Sequence, residues 1–119
     1  MSGNQFRSVK RLLKACGYSW RGLAFTWGNE TAFQQECVAV LVMLPLALWL
    51  PDTHLESAML VMSLFVVLIT ELINTAVEAA IDRHGGELHH WSAVAKDVAS
   101  AAVLLALVQC ALVWLLVLI

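Results

Sequence analysis

Glu71-Leu-Ile-Asn-Thr-Ala-Val-Glu-Ala-Ala-Ile-Asp82 is where a long apolar run acquires two carboxylates and an amide before ending on a further acid. On a helix, Glu71, Asn74, Glu78 and Asp82 stand at i, i+3, i+7 and i+11, so they form one stripe, bordered by Thr75. A carboxylate in hydrocarbon costs roughly 2.5 to 3.5 kcal/mol even on lenient insertion scales, and its presence inside an apolar span calls for a compensating role. One such role is hydrogen bonding between helices, with Glu71 as a neutral acid. The other is a polar site that opens to water at the membrane surface.

The rest of the chain sets that helix in a membrane. Of its 119 residues 61% are hydrophobic and only 13% charged, and the mean hydropathy is +0.78. These values fit an integral membrane protein with one small domain spanning 1–119, and exclude an ordinary soluble one. The first residues are polar and basic, and no small-residue cleavage site follows a short apolar stretch, so no cleavable leader is expected. Five of the seven Lys and Arg, namely Arg7, Lys10, Arg11, Lys14 and Arg21, precede Glu30, and no acid does. Such an arm suits an anionic leaflet or phosphate groups. Its apolar seam points to the membrane surface and away from nucleic acid. Cys16, Cys37 and Cys110 are odd in number and widely spaced, without a CxxC or Cys/His pattern, and read as small packing residues.

Working outward, the seam Phe6, Val9, Leu13, Cys16, Trp20, Leu23 and Trp27 predicts an amphipathic surface helix over about 6–27. Gly17 and Gly22 weaken it, with a break expected near Gly17-Tyr-Ser-Trp. Apolar spans follow at about 32–50, with Pro45 inside, at about 57–81, and at about 98–119, interrupted only by Ser100 and Gln109. Pro51-Asp-Thr-His-Leu-Glu56 reads as a turn and Arg83 to Trp91 as a loop turning at Gly85-Gly86. Basic residues lie in the amino-terminal arm and around the second loop and are absent from the first. The positive-inside rule therefore puts the amino terminus and residues 83–96 in the cytoplasm and the carboxyl terminus outside. Three helices of this size hardly enclose a polar site, so subunits of a homo-oligomer are expected to supply the missing walls.

This topology gathers Glu30, Glu78, Asp82, Glu87, His89, Lys96, Asp97 and the basic arm on one side. Two carboxylates with open water positions suit Mg²⁺ held jointly by protein and substrate phosphates. No GxxxxGK[ST], GxGxxG or protein-kinase signature is present. Glu71 lies about 10 Å of helix rise deeper than Glu78. That separation suggests transfer from a phosphorylated soluble donor to a lipid hydroxyl, with Glu71 as general base.

Lys14-Ala-Cys-Gly-Tyr-Ser-Trp-Arg-Gly22, Asn29-Glu-Thr-Ala-Phe-Gln-Gln-Glu36, Glu71-Leu-Ile-Asn-Thr-Ala-Val-Glu78 and Ala95-Lys-Asp97 with Ser100-Ala-Ala-Val103 carry a likeness over nearly the whole length. With these motifs the chain resembles the prokaryotic diacylglycerol kinases. The resemblance implies an all-α membrane protein, an amino-terminal amphipathic surface helix plus three transmembrane helices, assembled as a homotrimer in the bacterial inner membrane. It implies transfer of the γ-phosphoryl of MgATP to diacylglycerol, giving phosphatidic acid. Glu71 would be the proton acceptor, supported by Asn74. Glu30 and Glu78 would hold Mg²⁺ and nucleotide. Arg11, Tyr18, Glu87, His89, Lys96 and Asp97 match positions lining the nucleotide site, and Ser100 and Trp114 match the lipid end. The chain departs from the pattern at Gln34 and Val94, where relatives commonly carry Arg, and at Cys16, often Ala.

Three other functions remain open at this point. Undecaprenol kinases share the Asn74 to Glu78 motif but act on a polyprenol. A small proton-coupled exporter would use Glu71 as its intramembrane proton carrier. A non-catalytic assembly protein would use the polar stripe only as glue between helices.

Overall fold

A computed structural model describes residues 3–83 and 89–119. They form four helices and, among the described residues, no strand: α1 (Gly3–Asn29), α2 (Thr31–Trp49), α3 (His54–Asp82) and α4 (His90–Leu118). The chain divides into two compact units, Met1–Glu30 and Thr31–Ile119.

The first unit is α1. It runs unbroken through Gly17 and Gly22, contrary to the expected break. A helical glycine costs only about 1 kcal/mol. Ser19 Oγ donates to Ala15 O at 2.9 Å and Thr26 Oγ1 to Gly22 O at 2.8 Å, bonds that leave the helix intact. Phe6, Val9, Leu13, Trp20, Leu23 and Trp27 of the apolar seam are exposed.

The second unit holds α2, α3 and α4, each long and apolar enough to cross a membrane. α3 is central: it packs against both α2 and α4, which do not pack on each other. The buried residues explain why. On α2 they are Phe33, Val40 and Ala47, a seven-residue repeat that keeps a single seam on its neighbour. On α3 they are Ser57, Leu60, Ser63, Leu64, Val67, Glu71 and Thr75, spaced by three and four and wide enough for two partners. α4 buries only Ala106, so most of its apolar surface faces outward. Pro45 sits inside α2 without ending it.

Two helices begin earlier in sequence than the apolar runs do, and both have a cap. Thr53, with extended backbone, accepts from Glu56 N at 3.1 Å and donates through Oγ1 to Glu56 Oε1 at 2.9 Å. This Thr-x-x-Glu box starts α3 at His54 and draws part of the expected turn into the helix. His89 Nδ1 accepts from Trp91 N at 3.3 Å and starts α4 at His90. The expected loop therefore ends before Trp91, and Lys96 and Asp97 lie within a helix.

Polar groups lock α3 to α4 far from these caps. Trp114 Nε1 donates to Ser63 Oγ at 3.1 Å, and Gln109 Nε2 donates to Ser63 O and to Ala106 O, both at 2.9 Å. Ser63 Oγ also lies 3.6 Å from Cys110 Sγ. All three cysteines are free thiols, and Cys110 packs in this clasp.

Candidate active site

The polar stripe of α3 changes character along its length. Glu71 is 3% exposed and Thr75 5%. Thr75 Oγ1 donates to Glu71 O at 3.1 Å, which absorbs its hydroxyl without engaging the carboxyl. About one turn farther, Asn74 Nδ2 donates to Glu78 Oε1 at 3.2 Å, both side chains half-buried. The amide thus fixes the orientation of a carboxylate and leaves its other oxygen available. At the end of the stripe Asp82 is exposed, and its Oδ1 accepts from Lys96 Nζ at 2.8 Å. This ion pair ties the end of α3 to the first turns of α4. Asp82 pairs directly with Lys96, and the charge of Lys96 also acts on Glu78.

Sequence reasoning gave Glu36 no role beyond its place at the end of the motif Asn29 to Glu36. In the structure its carboxyl meets that of Glu71 across the α2–α3 interface. Each of the two carboxyls has a buried oxygen, Oε2, with no hydrogen-bond partner. A signal did exist: Glu36 stands three residues after Phe33 and four before Val40, on the stripe that α2 buries. Its charge concealed its place on that seam.

The remaining candidates fall into separate groups. Arg11 and Tyr18 line one open hollow of about 520 Å³ on α1, with Ser8, Leu12, Lys14 and Ala15. The Arg21 guanidinium stands 4.9 Å from the centroid of the Tyr18 ring. Glu30 ends the same unit, its N–H bonded to Thr26 O at 2.9 Å. His89 caps α4, Lys96 pairs with Asp82, and Asp97 and Ser100 are exposed on α4. Trp114 is held by Ser63, and it lies about 21 Å of helix rise from Ser100. One protomer does not bring these two lipid-end candidates together. Glu87 lies outside the described residues. Gln34 and Val94, where the chain departs from the expected Arg, are half-buried in α2 and α4.

The donor chemistry fits a hard divalent cation. Glu78 is an oriented carboxylate, and among the described residues no group of three or more His, Cys, Asp or Glu forms a metal cage. An oriented carboxylate is a donor of the kind Mg²⁺ takes, with water and substrate phosphates completing the shell.

Known proteins resemble this chain over most of its length. The family model described as prokaryotic diacylglycerol kinase matches residues 17–118. A diacylglycerol kinase of Escherichia coli (strain K12) is 44% identical over 111 residues, covering 93% of this chain and 91% of the relative. One from Haemophilus influenzae is 40% identical over 106 residues, with 89% and 90% covered. One from Pseudomonas aeruginosa is 37% identical over 117 residues, with 96% and 95% covered. With the match running from α1 through α4 and containing the whole stripe from Glu71 to Asp82, the chain belongs to the prokaryotic diacylglycerol kinase family.

Proposed function

We propose that this membrane kinase transfers the γ-phosphoryl group of ATP to the free hydroxyl of 1,2-diacylglycerol, giving phosphatidic acid and ADP. The carrying observation is the ladder on α3: a buried carboxyl at Glu71, and about 10 Å of helix rise farther along, a carboxylate at Glu78 held by Asn74. A lipid hydroxyl and a soluble polyphosphate need those two depths.

Glu71 takes the hydroxyl proton as the hydroxyl oxygen bonds to the γ-phosphorus, and the bond from that phosphorus to the β,γ-bridging oxygen breaks with its electron pair leaving on ADP. Asn74 holds Glu78 in one orientation and so acts through it. Glu78 and Glu30 would hold Mg²⁺, which would offset negative charge on the transferring phosphates. Arg11 and Tyr18, together on one face of α1, and His89, Lys96, Asp97 and Glu87 contact the nucleotide. In this account Lys96 exchanges Asp82 for phosphate oxygens. Ser100 and Trp114 border the lipid, and their separation along α4 is accommodated if they serve different subunits of a homotrimer.

The protein lies in a bacterial inner membrane, with α1 on the cytoplasmic surface, its exposed apolar seam in the lipid and its cations among anionic headgroups. The test is phosphate transfer from MgATP in mixed micelles containing diacylglycerol and undecaprenol in competition. Preferential formation of phosphatidic acid is expected. Preferential phosphorylation of the polyprenol would overturn the choice of substrate, and efflux driven by a proton gradient without ATP would overturn the reaction.

A further inference from the structure

Glu36 and Glu71 meet at the α2–α3 interface, and each has one buried oxygen lacking a hydrogen-bond donor. Two ionised carboxylates are acceptors only, so they cannot satisfy each other. One proton between them converts a clash into a hydrogen bond and removes both deficits. Among the described residues, the groups that interact electrostatically with the pair are Glu78 along α3 and Cys37 beside Glu36 on α2, and neither supplies positive charge. The surrounding seam is apolar, with Phe33 and Val40 on α2 and Val67 on α3 all buried, so water is poorly placed to serve either oxygen. Thr70 and Thr75, the α3 hydroxyls on either side of Glu71, donate to the backbone at Val66 O and Glu71 O and not to either carboxyl.

We propose that Glu36 is the positioning residue for Glu71: the two carboxyls share one proton, with Glu36 as its donor, and this fixes the direction in which Glu71 presents its remaining lone pairs to the substrate hydroxyl. The inference rests on the role of Glu71 proposed above. During transfer the hydroxyl proton passes to Glu71, leaving both carboxyls neutral while the oxygen–phosphorus bond forms and ADP departs. One proton then leaves to water, and the pair returns to its one-proton state. Glu36 touches neither phosphorus nor nucleotide in this scheme. It sets the orientation of the base, where an error of about 1 Å can cost on the order of a hundredfold in rate.

The test compares Glu36→Gln with Glu36→Met in the full-length protein reconstituted in lipid bilayers. The amide can still donate to Glu71, whereas the thioether fills the space and cannot. We expect Glu36→Met to lower kcat about 100-fold with an unchanged KM for MgATP, and Glu36→Gln to recover most of that loss. Thermal unfolding in detergent should place both variants close to wild type. Equal kcat in the two variants, or full activity of Glu36→Met, would overturn the positioning role. A second readout does not require turnover. Infrared spectra of the wild type should contain a carboxylic-acid C=O band that Glu36→Gln removes, and a band unchanged by that substitution would refute the shared proton. Inactivity of the wild type on diacylglycerol with the infrared result intact would count against the substrate and leave the carboxyl pair standing.

Discussion

Asn74 illustrates how much a single side chain contributes here. It sits between Glu71 and Glu78 on α3, and its amide donates to Glu78 at 3.2 Å. A hydrogen bond to a charged group is worth about 1.5 to 3 kcal/mol, and half-burial puts this one at the low end. Asn74→Ala should therefore raise KM for MgATP about tenfold, with a smaller effect on KM for the lipid; steady-state kinetics with each substrate varied in turn checks this. An equal rise for both substrates would mean that Asn74 does not act through Glu78. At this scale the sequence was informative wherever one helix carried the whole pattern, as with Glu71, Asn74 and Glu78. It was uninformative where two helices had to meet. The contact of Glu36 with Glu71 depends on the register between α2 and α3, and Trp114 reaches Ser63 across 51 residues of sequence.

Helix ends and helix pairs follow local rules that hydropathy does not carry. The apolar runs identified three spanning segments because a bilayer requires about 20 apolar residues, and α2, α3 and α4 contain them. The starts of α3 and α4 are set by Thr53 and His89, whose side chains act outside the apolar runs. Thr53→Ala should cost about 0.5 to 2 kcal/mol, the usual value of a helix cap, read as a lower thermal midpoint in detergent with kcat little changed. The clasp of Ser63, Gln109 and Trp114 gives a second prediction. Hydrogen bonds between helices within membranes average about 0.6 kcal/mol and reach about 1.7. A double-mutant cycle of Ser63→Ala and Trp114→Phe should return a coupling energy in that range, and strict additivity would show that the 3.1 Å contact contributes nothing to stability.

The unit Thr31–Ile119 is a central helix with two partners and much uncovered apolar surface. Only 11% of the most apolar stretch of α4 is buried within the chain, against 33% for α3. Lipid accounts for part of that surface, and the proposed homotrimer for the rest. Light scattering of the protein in detergent should give three copies per particle, and a monomer with full activity would contradict a site walled by neighbouring subunits. The continuity of α1 through Gly17 was not legible in the sequence, since two glycines cost too little to break a helix of this length. The central claim is that Glu71 is the proton acceptor, and the most direct measurement is phosphatidic acid formation from ATP and diacylglycerol by wild type and Glu71→Gln under identical conditions. The amide keeps the size of the side chain but cannot accept the proton, so turnover should fall by at least about 100-fold while particle mass and thermal midpoint stay near wild type. Turnover of Glu71→Gln within a few-fold of wild type would contradict the account.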